Sequence, residues 1–190
     1  MLTLLQSNFA PNLREQMLMR GQADGVFGYV NTIRFSAKLS GIDPDKELRW
    51  INYGDYGMDL YSNAIIFSKK FVKENPNAVK GFLRALNKAI VDSLADPKAS
   101  VAAVAKREPL LKMDVELERM DATIKEEMNH PEIAKIGLGD IDDARMKKSI
   151  DILVDANKLP RTPEVSEIFT RDLLPPASER PHKLLDAKTN

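Results

Sequence analysis

The spacing of apolar residues changes character at Asn75, and this change limits the folds open to the chain more than any other feature. From Asn75 onward the spacing is helical. Asn75 is placed as a helix N-cap with Pro76 in the first turn, and Val79, Phe82, Leu83, Leu86, Ile90 and Leu94 then keep to one face, Phe82 and Leu86 being expected in the core. Asp96-Pro97 repeats the start signal for a helix through Ala105. Asp114 is placed to cap the next, with Leu117, Met120, Ile124 and Met128 as its buried stripe. Asp140 opens another, carrying Met146, Ile150, Leu153 and Val154, and Thr162-Pro163 starts a last short helix through Ile168 and Phe169.

Before Asn75 the signals alternate. Leu2 to Gln6 reads as a short buried strand, and Pro11 then opens a helix with Leu13, Met17 and Leu18 on one face and Gly21 at its end. Asp24 to Phe27 reads as a second strand, Asn31 to Leu39 as a helix, Leu48 to Tyr53 as a third strand and Leu60 to Phe67 as a fourth. Alternation of this kind predicts an α/β fold: a partial parallel sheet with helices, followed by an all-helical C-terminal segment. A strand at residue 2 has no predecessor to pair with, so the expectation is of an N-terminally truncated sheet. The expected division is a partial α/β lobe over 1–62, a crossover strand and helical segment over 63–174, and a flexible tail over 175–190.

Composition removes several classes of function. Lys+Arg and Asp+Glu stand at 28 each, so no basic excess points to nucleic acid or an anionic membrane. Apolar runs such as Ala64 to Phe67 are too short to span a bilayer. With no Cys, and with His130 and His182 lacking a third ligand at sensible spacing, neither a thiolate nor a metal site is expected. No cofactor is expected. Met1 to Gln6 has no basic segment followed by a long apolar one, so the chain as given lacks a secretory signal and, taken as complete, would remain cytoplasmic.

Four segments resemble one family. They are Leu13 to Leu18 leading into Gly21-Gln22-Ala23-Asp24-Gly25-Val26; Tyr53 to Ile66; Phe71-Val72-Lys73-Glu74-Asn75-Pro76 with Val79, Phe82, Leu83 and Ala85 behind it; and Gly139-Asp140-Ile141-Asp142 closing the helical block. In order and spacing they resemble the solute-binding proteins of ABC importers for nitrate, sulfonates, taurine and thiamine pyrimidines (the NMT1/THI5-like group). The resemblance implies a periplasmic-binding-protein-like, type II clamshell fold. It also implies a periplasmic location, importer membrane subunits as partners, and capture of a small organic solute without catalysis. The related pyrimidine-synthase branch is the alternative; it carries a Cys-rich segment, which this chain lacks. An inactive truncated remnant is a third reading.

Two groups of residues are the ligand-binding candidates. If Asp24 to Phe27 is a strand, its carboxyl end delivers Tyr29, Asn31 and Thr32, where helix amides can meet an anionic group. The plainer role of helix caps suits Asn31 and Thr32 better than ligand contact does. The second group lies between Tyr53 and Asn63, which holds three of the four tyrosines and two carboxylates. Tyr56, Asp59, Tyr61 and Asn63 offer stacking and hydrogen-bond acceptors suited to a heteroaromatic or amine-bearing solute, and are expected to line one surface with Tyr29. The same stretch also reads as a hydrated turn with Tyr61 packed in the core. Trp50 fits the core better than a stacking role. A truncated chain would expose apolar surface, chiefly along Leu60 to Phe67, and is expected to form a homodimer, for instance by exchange of its C-terminal helices.

Overall fold

The computed structural model describes residues 11–184, and the chain divides into two compact units, Met1–Ile51 and Asn52–Asn190. The division falls before the tyrosine-rich turn at Tyr53, whereas the sequence suggested a boundary after it.

The first unit holds α1 (Pro11–Met19), α2 (Val30–Leu39) and α3 (Pro44–Glu47). Gly21, at φ 66°, closes α1 as expected, with the Gln22 N–H donating back to the Met17 carbonyl at 2.8 Å. The Ser36 hydroxyl donates to Glu15 Oε2 at 3.2 Å and ties α2 to α1. α2 buries Ile33, Phe35 and Ala37. Asp43 caps α3 reciprocally: its carboxylate accepts from the Asp45 N–H, and Glu47 accepts from the Asp43 N–H. Trp50 is half-buried with the Arg34 guanidinium 5.7 Å from its ring centre.

The second unit is helical. A 3₁₀ turn at Tyr53–Tyr56 leads through an irregular stretch to α4 (Lys69–Glu74), α5 (Pro76–Ala95), α6 (Pro97–Ala105) and α7 (Met113–Ala122). α7 widens into a π-helical turn over Thr123–Met128, closed by Asn129 N–H to Ile124 carbonyl at 2.9 Å. Then come α8 (Ile133–Ile136), α9 (Asp143–Asn157) and α10 (Val165–Ile168). Neighbours in sequence pack on one another: α4 on α5, α5 on α6, α6 on α7, α10 on α9. Ile124, Ile133 and Leu184 form a buried cluster, with Leu94, Met120, Met128 and Leu138 against it.

Several expectations need correction. The strand expected over Leu2 to Gln6 lies outside the described residues. The other three, Asp24 to Phe27, Leu48 to Tyr53 and Leu60 to Phe67, are not strands, and the described residues contain no parallel sheet. Leu48, Asn52 and Ser68 do have extended dihedrals, but a strand exists only beside a second one, and no ladder forms. The stop and start signals fare better. Pro76 opens α5 and Asp96 caps α6 by accepting from the Ala99 N–H at 2.9 Å, although Asn75 makes no side-chain cap. Asp114 lies inside the first turn of α7, whose N-cap is Lys112, and Asp142 rather than Asp140 caps α9.

Phe82 is half-exposed, not buried. Its ring meets Phe67 edge-on at 5.6 Å, and Phe67 stacks on Phe71 at 6.2 Å. The described part of the expected flexible tail is packed as well. Arg180 lies over Gly137, whose φ of 76° would strain any other residue and whose neighbours would crowd a Cβ at 3.1–3.3 Å. The Arg180 guanidinium donates to the Gly137 carbonyl and pairs with Asp140 at 3.2 Å, Leu138 N–H reaches the Pro181 carbonyl at 2.8 Å, and Leu184 enters the core. Among the described residues no helix is long and apolar enough to cross a membrane.

Candidate functional site

The second unit gathers its polar side chains around Tyr61. The Tyr61 hydroxyl donates to Glu132 Oε2 at 2.5 Å and accepts from the Asp142 N–H at 2.7 Å. The Arg145 guanidinium lies over the same ring, 4.3 Å from its centre, and pairs with Asp59 Oδ1 at 2.7 Å and Glu132 Oε2 at 3.2 Å. Local structure aims each group. Asp142 caps α9 through the Arg145 N–H, which puts Arg145 in the first turn facing the irregular stretch from Met58 to Tyr61. The π-helical end of α7 delivers His130 and Glu132 from the other side.

Electrostatics follow from this packing. Burial, and then the bond to Glu132, push the Tyr61 hydroxyl up from 10.0 to about 12, so it stays neutral and donating. Burial works against the Arg145 cation, but the Glu132 and Asp59 carboxylates outweigh it and the net shift is upward. His130 Nδ1 accepts the Glu132 N–H at 3.2 Å, which leaves Nε2 to carry the proton of the neutral ring, 3.9 Å from Asp59 Oδ2. Two carboxylates against one guanidinium leave the cluster with surplus negative charge. Asp59 is 59% exposed, so that charge faces water. A tyrosine held neutral and an arginine held charged make an ionic clasp and an acceptor surface, not a nucleophile with its base.

The candidate residues fall out unevenly. Asp59 and Tyr61 meet in this cluster; Tyr61 gives its hydroxyl and one ring face to it. Tyr56 stands out from the 3₁₀ turn, 71% exposed, and Asn63 is exposed on the irregular stretch. Tyr29, Asn31 and Thr32 belong to the first unit. Tyr29 is the N-cap of α2 without a capping side chain and is half-exposed; Asn31 and Thr32 follow in the first turn, where the Thr32 hydroxyl donates to Asn31 Oδ1 at 3.3 Å. Glu132, Arg145, His130 and Asp142 were not foreseen as partners. Asp142 alone carried a local signal, as an acid three residues ahead of Arg145 at a helix start.

Two hollows among the described residues of the second unit bear on ligand capture. One of about 250 Å³ is lined by Lys80, Arg84, Asp172 and Leu173 to Pro176; one of about 210 Å³ lies beside His130 and His182. Both fall below the roughly 300–1,000 Å³ of typical ligand pockets, so neither encloses an organic solute alone. Among the described residues no group of His, Asp and Glu could hold a metal ion.

No curated protein matches the chain. Its sequence matches a family profile over residues 8–100, somewhat under half of its length, which takes in the first three of the four segments noted above and stops short of Gly139-Asp140-Ile141-Asp142. Over residues 8–100 this protein is similar to the family described as NMT1/THI5 like.

Proposed function

We propose that this protein is a solute-binding module that captures a small organic molecule for an ABC importer, outside the cytoplasmic membrane, without transforming it. The observation that carries the reading is the NMT1/THI5 like match over residues 8–100. That family covers both solute-binding proteins and thiamine-pyrimidine synthesis, and implies a periplasmic-binding-protein-like fold. The solute classes are sulfonates, nitrate-like anions and pyrimidine precursors of thiamine.

The second unit favours the last of these. Tyr56 offers an open aromatic face, and Asp59 an exposed carboxylate whose Oδ2 is not hydrogen-bonded by His130. Together they suit a planar, amine-bearing heteroaromatic. Asn63 adds an exposed amide, and Tyr61 positions Asp59 through Arg145. In the first unit, Tyr29, Asn31 and Thr32 at the start of α2 are the proposed contacts for an anionic group.

Thermal unfolding with a panel of aminopyrimidine, alkanesulfonate and nitrate tests this. A solute present at 100 times its Kd should stabilise the protein by about 2.7 kcal/mol. Tyr56→Ala should remove the effect of an aminopyrimidine while leaving the unliganded melt unchanged. A flat response to every class would count against solute binding, and a new pyrimidine product would favour the synthase reading.

A further inference from the structure

We propose that His130 and Asp59 form a donor–acceptor pair that reads one edge of a heterocycle, the edge on which an amino group adjoins a ring nitrogen. The inference rests on the reading of the protein as a solute-binding module and narrows its solute to that class. His130 Nε2 and Asp59 Oδ2 stand 3.9 Å apart, too far for a hydrogen bond to join them directly. Among the described residues neither atom enters a hydrogen bond, and the two side chains are 40% and 59% exposed.

Both side chains are held from behind. The Arg145 guanidinium occupies Asp59 Oδ1 at 2.7 Å and reaches the Asp59 carbonyl at 3.4 Å. The His130 N–H donates to the Met128 carbonyl at 2.9 Å, its carbonyl accepts from the Ile133 N–H at 3.0 Å, and its Nδ1 accepts from the Glu132 N–H at 3.2 Å. What remains is one acceptor, Asp59 Oδ2, beside one donor, the Nε2–H of the neutral imidazole. Groups fixed before binding lose little freedom when a solute arrives.

The spacing selects the edge. Two nitrogens on one trigonal carbon stand about 2.3 Å apart. Spanning the 3.9 Å pair from such an edge tilts each hydrogen bond, of about 2.9 Å, outward by about 16°, which leaves both close to linear. The amino N–H donates to Asp59 Oδ2, and the neighbouring ring nitrogen accepts from His130 Nε2. A sulfonate or nitrate carries acceptors only, so it satisfies His130 and is repelled by Asp59.

Equilibrium dialysis at about pH 8, above the range in which an ordinary imidazole charges, tests the pair. The probes are an aminopyrimidine and two aminopyridines, one with its amino group on the carbon beside the ring nitrogen and one with it a carbon further away. His130→Asn keeps an acceptor near the place of Nδ1 for the Glu132 N–H but lacks the reach of Nε2, and His130→Gln does the reverse. The wild-type protein should retain the aminopyrimidine, and should hold the first aminopyridine about tenfold more tightly than the second. His130→Asn should erase that preference and weaken the aminopyrimidine about tenfold, while His130→Gln should keep both. Equal retention of the two aminopyridines overturns the proposal, as does His130→Asn binding like the wild type or His130→Gln losing as much as His130→Asn. Retention of an alkanesulfonate or nitrate without an aminopyrimidine overturns it and leaves the solute-binding reading in place. Retention of no solute of any class removes both.

Discussion

Tyr61 donates to one carboxylate, accepts from one backbone amide and lies under one guanidinium, so the starts of both α8 and α9 depend on a single phenol. Its raised value of about 12 has a consequence at alkaline pH. The folded state keeps the Tyr61 proton after an unfolded chain has lost it at 10.0, so this contribution to stability is full below pH 10.0 and disappears as pH climbs to about 12. Following phenolate absorbance during a pH titration should show one of the four tyrosines ionising last, and Tyr61→Phe should delete that late phase. The same substitution should cost about 1–2 kcal/mol in denaturant unfolding, because the Glu132 and Asp142 groups lose a partner. Arg145→Met should cost more, about 2–4 kcal/mol, since it strands Glu132, which is only 20% exposed. Asp59→Asn should cost well under 1 kcal/mol, its carboxylate being mostly in water. Asp59 and Tyr61 were legible in the sequence as chemistry-bearing residues. Their partners were not, because Glu132 and Arg145 reach them only through the fold.

At the scale of elements, local signals held wherever a local interaction decides the outcome. Pro76, Asp96 and Gly21 mark helix ends because capping and φ preference act within a few residues. The expected sheet failed for the opposite reason. Alternation of apolar and polar residues reports facing, whereas a ladder needs a second strand brought from elsewhere in the chain. Phe82 shows the limit of helical spacing: the stripe was right, but its aromatic sits at the rim beside Phe67 while Val79 is the fully buried member. Phe82→Ala should therefore cost about 1–2 kcal/mol, not the 3–5 kcal/mol of a fully buried ring. Leu184 reverses that case. It follows a polar, proline-containing stretch, yet fills the cluster of Ile124 and Ile133, so Leu184→Ala should cost about 2–4 kcal/mol in denaturant unfolding.

For the molecule as a whole, the resemblance was readable because motif order survives in sequence: the first three segments fall within the matched residues 8–100. The solute is harder to read, since the candidate contacts lie on two units and the two hollows described in the second are small. The central claim is capture without chemistry. Equilibrium dialysis against an aminopyrimidine, followed by mass analysis of what denatured protein releases, addresses it most directly. The account predicts saturable retention of about one solute per chain, released with its mass unchanged. No retention above free concentration, or recovery of a compound of different mass, would contradict it.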